Sequence, residues 1–181
     1  MCNQGATNVA AVSILGATAN SPHFSVDGCL VHVVYDVPHL LKSIRNNFLK
    51  YDMHIEGSVA SWKHIDLFYQ QDKVSPIRLA PRLTDRHVEV NNVQKMRVSL
   101  AAQVLIHSVA AGLKTRVVTN ELYADAMSTA SFVEQVDTMF DVLNSRRRRA
   151  DKPARCAISS SGDSLNTLVT SREYGWRNGS S

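Results

Sequence analysis

The sequence predicts a mostly α-helical protein in which a helical segment follows an incomplete α/β start. Three observations support this fold class. Apolar residues recur at helical spacing over 120–144. The run from Asp85 to about Thr115 contains no proline, and no glycine before Gly112. A β-branched run at 30–35 is followed at once by a helix-forming segment, which is typical of an α/β sheet.

The composition narrows the class of protein. With 181 residues, of which 44% are hydrophobic and 20% charged, the chain can bury a core, which excludes a wholly disordered or fibrous protein. The net charge of +4 allows a nucleic-acid or phosphate-bearing partner. Three widely spaced cysteines argue against a disulfide framework and a Cys-rich zinc site. No apolar run of the roughly 18 residues that span a membrane stands out, and no signal-peptide layout opens the chain, so we expect a soluble intracellular protein.

The first fifty residues are predicted to be part of an α/β fold. A short helix over 9–16 stops at its glycine, residues 21–28 favour a turn, and 30–35 reads as a buried strand. Pro38 suits the first turn of the next helix, because the N–H it lacks would be unpaired there. Since the chain opens on a helix with no preceding strand, we expect that a longer protein has been cut before it.

The middle of the chain is predicted to be all-helical. A short amphipathic helix covers 62–69, an extended connector covers 76–81, and the apolar stretch 98–106 predicts a buried central helix within a long one. A second long helix covers 120–144. The polar segment 146–181 is expected to be disordered.

Standard enzyme motifs are missing from the sequence. It contains no GxxxxGK[ST], no GxGxxG, no HExxH and no GxSxG, so a P-loop, a Rossmann phosphate cradle, a metalloprotease site and a nucleophile elbow are unsupported.

Polar clusters at two helix ends each admit two interpretations. Asp36 and His39 stand where a strand becomes a helix, and they are either ligand-binding residues or simple helix caps. Asp141 and Asn144 share one helix face, so a carboxylate and an amide could read a guanine edge together. The alternative is that Asn144 is only a C-cap.

The basic residues also admit two interpretations. One set could meet phosphates or form a solvated helix face: Arg78, Arg82, Arg86, Lys95 and Arg97. The run Arg146–Arg149 is either a nucleic-acid or nuclear-localisation patch or a solvated helix end.

Taken together, these blocks resemble the transposases of P-element type, which include the THAP-domain transposases of animals. The matching blocks are 3–8 (NQGATN), 35–46 (YDVPHLLKSIRN), 78–87 (RLAPRLTDRH), 95–104 (KMRVSLAAQV), 129–132 (TASF) and 140–145 (FDVLNS). The combination of DxPHLxKxxRN with the later FDxLNS is specific, whereas the single blocks are not.

The resemblance implies a helical GTP-binding insertion domain at 51–145, attached to an incomplete α/β RNase H-like fragment at 1–50 and followed by a basic tail at 146–181. In that family three acidic residues bind two Mg²⁺ ions for DNA strand transfer, and GTP is a cofactor that helps to position DNA. This chain would then be catalytically incomplete, with Mg²⁺ used in the complete family enzyme only. The resemblance further implies nuclear localisation, DNA as a partner through the parent transposase, a possible homo-oligomer and no membrane partner.

The resemblance also assigns roles to residues. Asp141 and Asn144 would read guanine with Phe140 near the base, and ribose or phosphate contacts would come from Arg82, Arg97 and the backbone around Val98.

Four positions depart from the family pattern. Asn3 occupies the place of the second acid, and an uncharged amide is a poor Mg²⁺ ligand. The family tends to have lysine at Arg82 and Arg97, and a small hydroxyl residue is expected near Ile106. Two alternatives therefore stay open: a domesticated, non-enzymatic module that binds DNA or protein, and the product of a decayed element.

Overall fold

The computed structural model describes residues 5–18, 20–55 and 57–144. These residues form a mostly helical protein with two small antiparallel sheets, which confirms the helical part of the predicted fold class. The chain divides into two compact units, residues 1–40 and the residues from 41 onward, called here the first and the second unit. The domain boundaries at 50/51 and 145/146 stay predictions.

The described residues of the first unit form a helix, a hairpin and the first turn of a second helix. Helix α1 (Ala6–Ile14) confirms the predicted short helix, and strands β1 (His23–Val26) and β2 (Cys29–His32) pair antiparallel. The hairpin turns at Asp27 and Gly28, whose φ angles of 49° and 78° match the two-residue turn that asparagine or aspartate followed by glycine favours.

The buried strand predicted at 30–35 is wrong. Strand β2 ends at His32, and all four of its residues are exposed. The physical reason is the size of the sheet: β2 pairs with β1 in a two-stranded hairpin, so both of its faces are open to solvent.

Helix α2 (Val37–Phe48) starts one residue before Pro38, as predicted, and the boundary between the two units falls within it. The second unit continues with β3 (Met53–Ile55), β4 (Ser58–Ala60), α3 (Trp62–Val74), α4 (Asp85–Val88), α5 (Asn92–Lys95), α6 (Val98–Val104), α7 (His107–Val118) and α8 (Ala126–Leu143).

The long helix predicted over 85–115 is replaced by the four helices α4 to α7. A new helix begins after Asn91, whose side chain accepts the Gln94 N–H at 2.9 Å, while the Gln94 side chain accepts the Asn91 N–H at 2.7 Å. The apolar centre is buried as expected, but in the seven-residue helix α6. The prediction that 51–144 is all-helical also fails, because β3 and β4 form a hairpin in which Met53 lies opposite Ala60.

The core of the second unit lies between α3, α7 and α8. Phe48 and Phe132 are both 1% exposed, and their ring centroids are 4.6 Å apart. Helix α7 approaches α3 closely at Gly112, where an added Cβ would be 2.5 Å from Cζ of Phe68. Helix α8 confirms the second long helix predicted from the sequence.

One stretch requires a correction to the sequence interpretation. Val98–Val118 has 21 residues and a mean hydropathy of 1.2, so by length and composition alone it could cross a membrane. It is interrupted between α6 and α7, and buried residues of both helices, among them Val104 and Leu113, pack in the core of the second unit. A core helix of a soluble protein meets the same criterion.

Candidate functional site

The end of α8 carries the residues predicted to read guanine. Phe140 packs against the core, Val142 is buried, and Asp141 is half-buried. Asn144 is exposed and forms the C-cap, where its N–H donates to the Phe140 carbonyl at 2.9 Å. Asp141 and Asn144 lie one helical turn apart. The C-cap interpretation therefore describes the backbone of Asn144, and its side chain is left exposed.

The segment that carries Arg82 is organised by Arg78. The Arg78 guanidinium donates to the carbonyls of Ala80 at 3.2 Å, Pro81 at 3.5 Å and Leu83 at 2.8 Å. Arg78 thus folds its own loop and is neither a free phosphate ligand nor part of a solvated helix face, which corrects both interpretations. Arg82 is exposed within this loop.

A buried carboxylate in α3 anchors the same loop. Asp72 is fully buried and accepts hydrogen bonds from the backbone N–H of Leu79 at 2.6 Å and of Ala80 at 3.2 Å. It also pairs with Nε of Arg78 at 3.3 Å and with Nη2 of Arg116 at 3.9 Å. Asp72 satisfies two backbone donors and two cations, so it fixes where the loop leaves α3. Sequence reasoning missed this residue.

A polar chain connects the end of the Arg82 loop with α6. The backbone N–H of Thr84 donates to Nδ1 of His87 at 3.0 Å, and Nε2 of His87 lies 2.7 Å from Oε1 of Gln103. His87 is 4% exposed. Because Nδ1 accepts, the hydrogen bond to Gln103 is assigned to a proton on Nε2.

Arg97 and Val98 lie together at the start of α6. Arg97 is the exposed N-cap, and its N–H donates to the carbonyl of Gln94 at 3.0 Å. Arg45 of α2 contacts the turn before Arg97. Its Nη2 donates to the carbonyls of Gln94 at 3.1 Å and Lys95 at 3.2 Å. Arg45 is fully buried, and this burial lowers the pKa of its guanidinium.

A cluster of polar and charged side chains surrounds Asp85 at the start of α4. Its carboxylate accepts hydrogen bonds from Lys73 at 3.0 Å and from the Tyr69 hydroxyl at 2.9 Å. These bonds lower the pKa of Asp85, while the carboxylate raises the pKa of Lys73. Burial, together with the bond to Asp85, raises the pKa of Tyr69.

The remaining predicted residues are placed as follows. Asp36 accepts the His39 N–H at 3.1 Å and also pairs with the His39 ring, so the helix-cap interpretation of this cluster is confirmed. Ile106 is the N-cap of α7 and packs partly against the core. Asn3 and Arg146–Arg149 lie outside the described residues.

Two cavities in the second unit are lined by other residues. One of about 450 Å³ lies beside the end of α2 and the start of α3, and Trp62, Lys63 and Glu89 line it. The other, of about 320 Å³, lies between the β3–β4 hairpin and α8. Neither is lined by the residues predicted to bind GTP.

The described residues contain no group of three or more His, Cys, Asp or Glu side chains that could hold a metal ion. Within this part of the chain, the donor set therefore does not fit a two-metal site.

A comparison with protein families finds a match over more than half of the chain. Residues 38–156 match the family model described as "TNP-like, GTP-binding insertion domain". This range runs from the first turn of α2 through α8. It includes both segments that carry Arg82 and Arg97 and the end of α8.

Comparison with curated proteins and solved structures points in the same direction. The chain is 25% identical over 124 residues to the Transposable element P transposase of Drosophila melanogaster, which covers 68% of this chain and 16% of that relative. The chain thus spans less than a fifth of the length of that relative. Its fold is similar to a chain of the "Drosophila P element transposase strand transfer complex", with a TM-score of 0.81 and 22% identity over 94% of this chain and 40% of that one.

Proposed function

Since this chain belongs to the family of TNP-like, GTP-binding insertion domains, we propose that its second unit binds GTP as a cofactor for DNA transposition. The observation that carries the proposal is the family match over 38–156, which includes all six residues proposed to contact the nucleotide. These residues are Arg82, Arg97, Val98, Phe140, Asp141 and Asn144.

The end of α8 offers the chemistry that guanine needs. The carboxylate of Asp141 can accept hydrogen bonds from the ring N–H and the 2-amino group of guanine. The amide of Asn144 can donate to the 6-carbonyl from the next turn of the helix. Phe140 packs against the core and offers an apolar edge beside the base.

Arginines of the 78–98 region offer the chemistry that phosphates need. Arg82 and Arg97 are exposed, and each presents a planar set of donors that matches phosphate oxygens. Arg78, by contrast, uses its donors within its own loop. The proposal therefore assigns the phosphate contacts to Arg82 and Arg97, with the backbone at Val98.

Strand transfer itself is proposed to belong to the complete family enzyme. The described residues do not fit a metal pair, so no chemical step is assigned to them. We propose that the first unit is a fragment of an RNase H-like domain, that DNA is met in the context of the parent transposase, and that the chain acts in the nucleus. We also propose that copies of this chain form a homo-oligomer.

The test is a titration that swaps the base. We expect Asp141→Asn to lower the affinity for GTP about 10- to 100-fold, because a charged hydrogen-bond acceptor is lost. The same substitution should favour xanthosine triphosphate, whose 2-carbonyl can accept from the new amide. Asp52→Asn removes the same charge at an exposed position and is the matched control.

Equal GTP binding by the unsubstituted chain and Asp141→Asn, or binding by neither, would contradict the proposal. Strongly salt-dependent binding of DNA without any binding of GTP would instead support the non-enzymatic interaction module.

A further inference from the structure

Building on the proposed function, we propose that Arg45 and Asn46 of α2 are positioning residues, which hold the turn before Arg97 in place for nucleotide binding. We call this pair the α2 clamp. Neither side chain is proposed to touch the nucleotide. Both act through the backbone carbonyls of Gln94 and Lys95.

The clamp is defined by four hydrogen bonds. Nη2 of Arg45 donates to the Gln94 carbonyl at 3.1 Å and to the Lys95 carbonyl at 3.2 Å. Nδ2 of Asn46 donates to the same Lys95 carbonyl at 3.1 Å. Nε of Arg45 donates to Oδ1 of Asn46 at 2.8 Å, so the two side chains also orient each other.

The connection to Arg97 is direct. The Gln94 carbonyl accepts from Arg45 and also accepts the backbone N–H of Arg97 at 3.0 Å. The guanidinium of Arg45 and the peptide of Arg97 therefore meet at one oxygen atom. A shift of Arg45 moves the acceptor that fixes the backbone of Arg97.

Apart from its own capping pair of Asn91 and Gln94, the held segment has few contacts that fix its position. Helix α5 has four residues and α6 has seven, and helices this short are not stable alone. Val93 and Met96 are 64% and 74% exposed, so apolar packing contributes little at this point. The carbonyls at the end of α5 also need partners from outside their own helix.

The burial of Arg45 indicates that its position matters. The side chain is fully buried, and the partners that hold it are carbonyl and amide oxygens instead of a carboxylate. Its Nη1 has no hydrogen-bond partner among the described residues. An apolar side chain of similar volume would fill this space at a lower desolvation cost. We therefore infer that Arg45 fixes the backbone geometry of the turn whose carbonyls it bonds to.

The test compares the affinity for GTP, which has base and phosphates, with the affinity for guanosine, which has the base but no phosphate. Affinities for GTP and for guanosine are measured on the full chain and on Arg45→Met, Arg45→Lys and Asn46→Ala. We expect Arg45→Met to weaken GTP binding about tenfold more than guanosine binding, because the phosphate contacts depend on Arg97. Arg45→Lys should restore part of the loss, since a lysine can meet a carbonyl but cannot span two with a planar fork.

Thr129→Val is the control for a general loss of stability. The Thr129 hydroxyl is fully buried and bonds with Ser61 and His64, which belong neither to the turn before Arg97 nor to the Arg82 loop. At a comparable loss of Tm, this variant should lower the affinities for GTP and guanosine by equal factors. An unchanged ratio of the two affinities in both Arg45 variants and in Asn46→Ala would overturn the proposal.

Hydrogen exchange separates the failure of this proposal from the failure of the proposed function. In Asn46→Ala, which keeps the buried charge, we expect the amides of 94–98 to exchange faster while those of α7 and α8 do not change. Unchanged exchange at 94–98 would overturn the clamp even if GTP binds. If the unsubstituted chain binds neither GTP nor guanosine, the proposed function and the nucleotide role of the clamp both fall.

Discussion

Gly112 of α7 lies directly against the ring of Phe68 in α3. A Cβ added at Gly112 would be 2.5 Å from Cζ and 2.9 Å from Cε2 of Phe68, which is closer than carbon atoms can pack. Phe68 is itself fully buried. The missing side chain at Gly112 is therefore what allows the two helices to meet.

Gly112→Ala should destabilise the protein although alanine is the better helix former. In an open helix position this change would stabilise by roughly 1 kcal/mol, but the clash with Phe68 should cost about 1–3 kcal/mol. Urea unfolding measures the difference. Adding Phe68→Leu should recover part of the loss, and a Gly112→Ala chain that is more stable than the original would contradict the packing described.

Asp72→Asn should destabilise the second unit by about 3 kcal/mol, because a fully buried carboxylate that pairs with two arginines loses its charge. The new amide keeps one oxygen, so its NH2 group faces the N–H of either Leu79 or Ala80, from which Asp72 accepts hydrogen bonds at 2.6 and 3.2 Å. Asp66→Asn on the same helix is the control, since Asp66 meets an exposed Gln70 side chain, and should change stability by less than about 0.5 kcal/mol. Similar losses for the two variants would argue against Asp72 as the anchor of the loop.

Thr129→Val should lower the free energy of unfolding by about 1–3 kcal/mol although the two side chains have the same shape. The fully buried Thr129 hydroxyl accepts the Ser61 N–H at 2.9 Å and lies 2.7 Å from Nδ1 of His64, so valine leaves buried donors unsatisfied. Thr138→Val is the control on the same helix, because that hydroxyl donates to the Glu134 carbonyl of its own turn. Thermal unfolding of both variants gives the comparison.

The contribution of Asp85 to stability should disappear in acid. Its hydrogen bonds with Lys73 and Tyr69 lower its pKa below the ordinary value of 3.8, so the folded state favours the ionised form. The resulting stabilisation is complete above that ordinary value and is lost as the pH falls through the lowered pKa of the folded state.

The measurement is the difference in unfolding free energy between the original chain and Asp85→Asn. At pH 7 we expect the original chain to have the higher free energy of unfolding. This difference should decrease steadily as the pH falls below about 4. A difference that stays constant down to pH 2 would show that Asp85 acts by packing instead of by charge.

Much of the helical architecture could be predicted from the sequence, because local signals coincide with tertiary structure. Pro38 marks the start of α2, and the apolar stripe that includes Phe132 and Val136 marks α8. The helix breaks between 85 and 115 were missed, although Asn91 and Gln94 form a recognisable capping pair. The absence of glycine and proline predicts one continuous helix there, whereas the capping pair starts a new helix.

The polar organisation around the candidate site could not be predicted, because its partners are far apart in sequence. Arg45 and Lys95 are 50 positions apart, and Arg45 bonds to a carbonyl that every residue has. Arg78 could be interpreted from the sequence as a phosphate contact or as part of a solvated helix face, since the carbonyls that it bonds to come together only when the loop folds. The positions of Asp141 and Asn144 on one helix face were predictable from spacing alone, and their role in binding guanine stays a prediction.

Helix α2 determines where this chain can be shortened for expression. Leu41 and Phe48 are core residues of the second unit, and the α2 clamp holds the turn before α6. A chain that began at Tyr51, where the helical domain was expected to start, would remove these side chains and open the core to water. A chain that begins at the start of the family match, at Pro38, would keep them. The helix that the sequence predicts as part of the α/β fragment is therefore the first element that a minimal helical domain must contain.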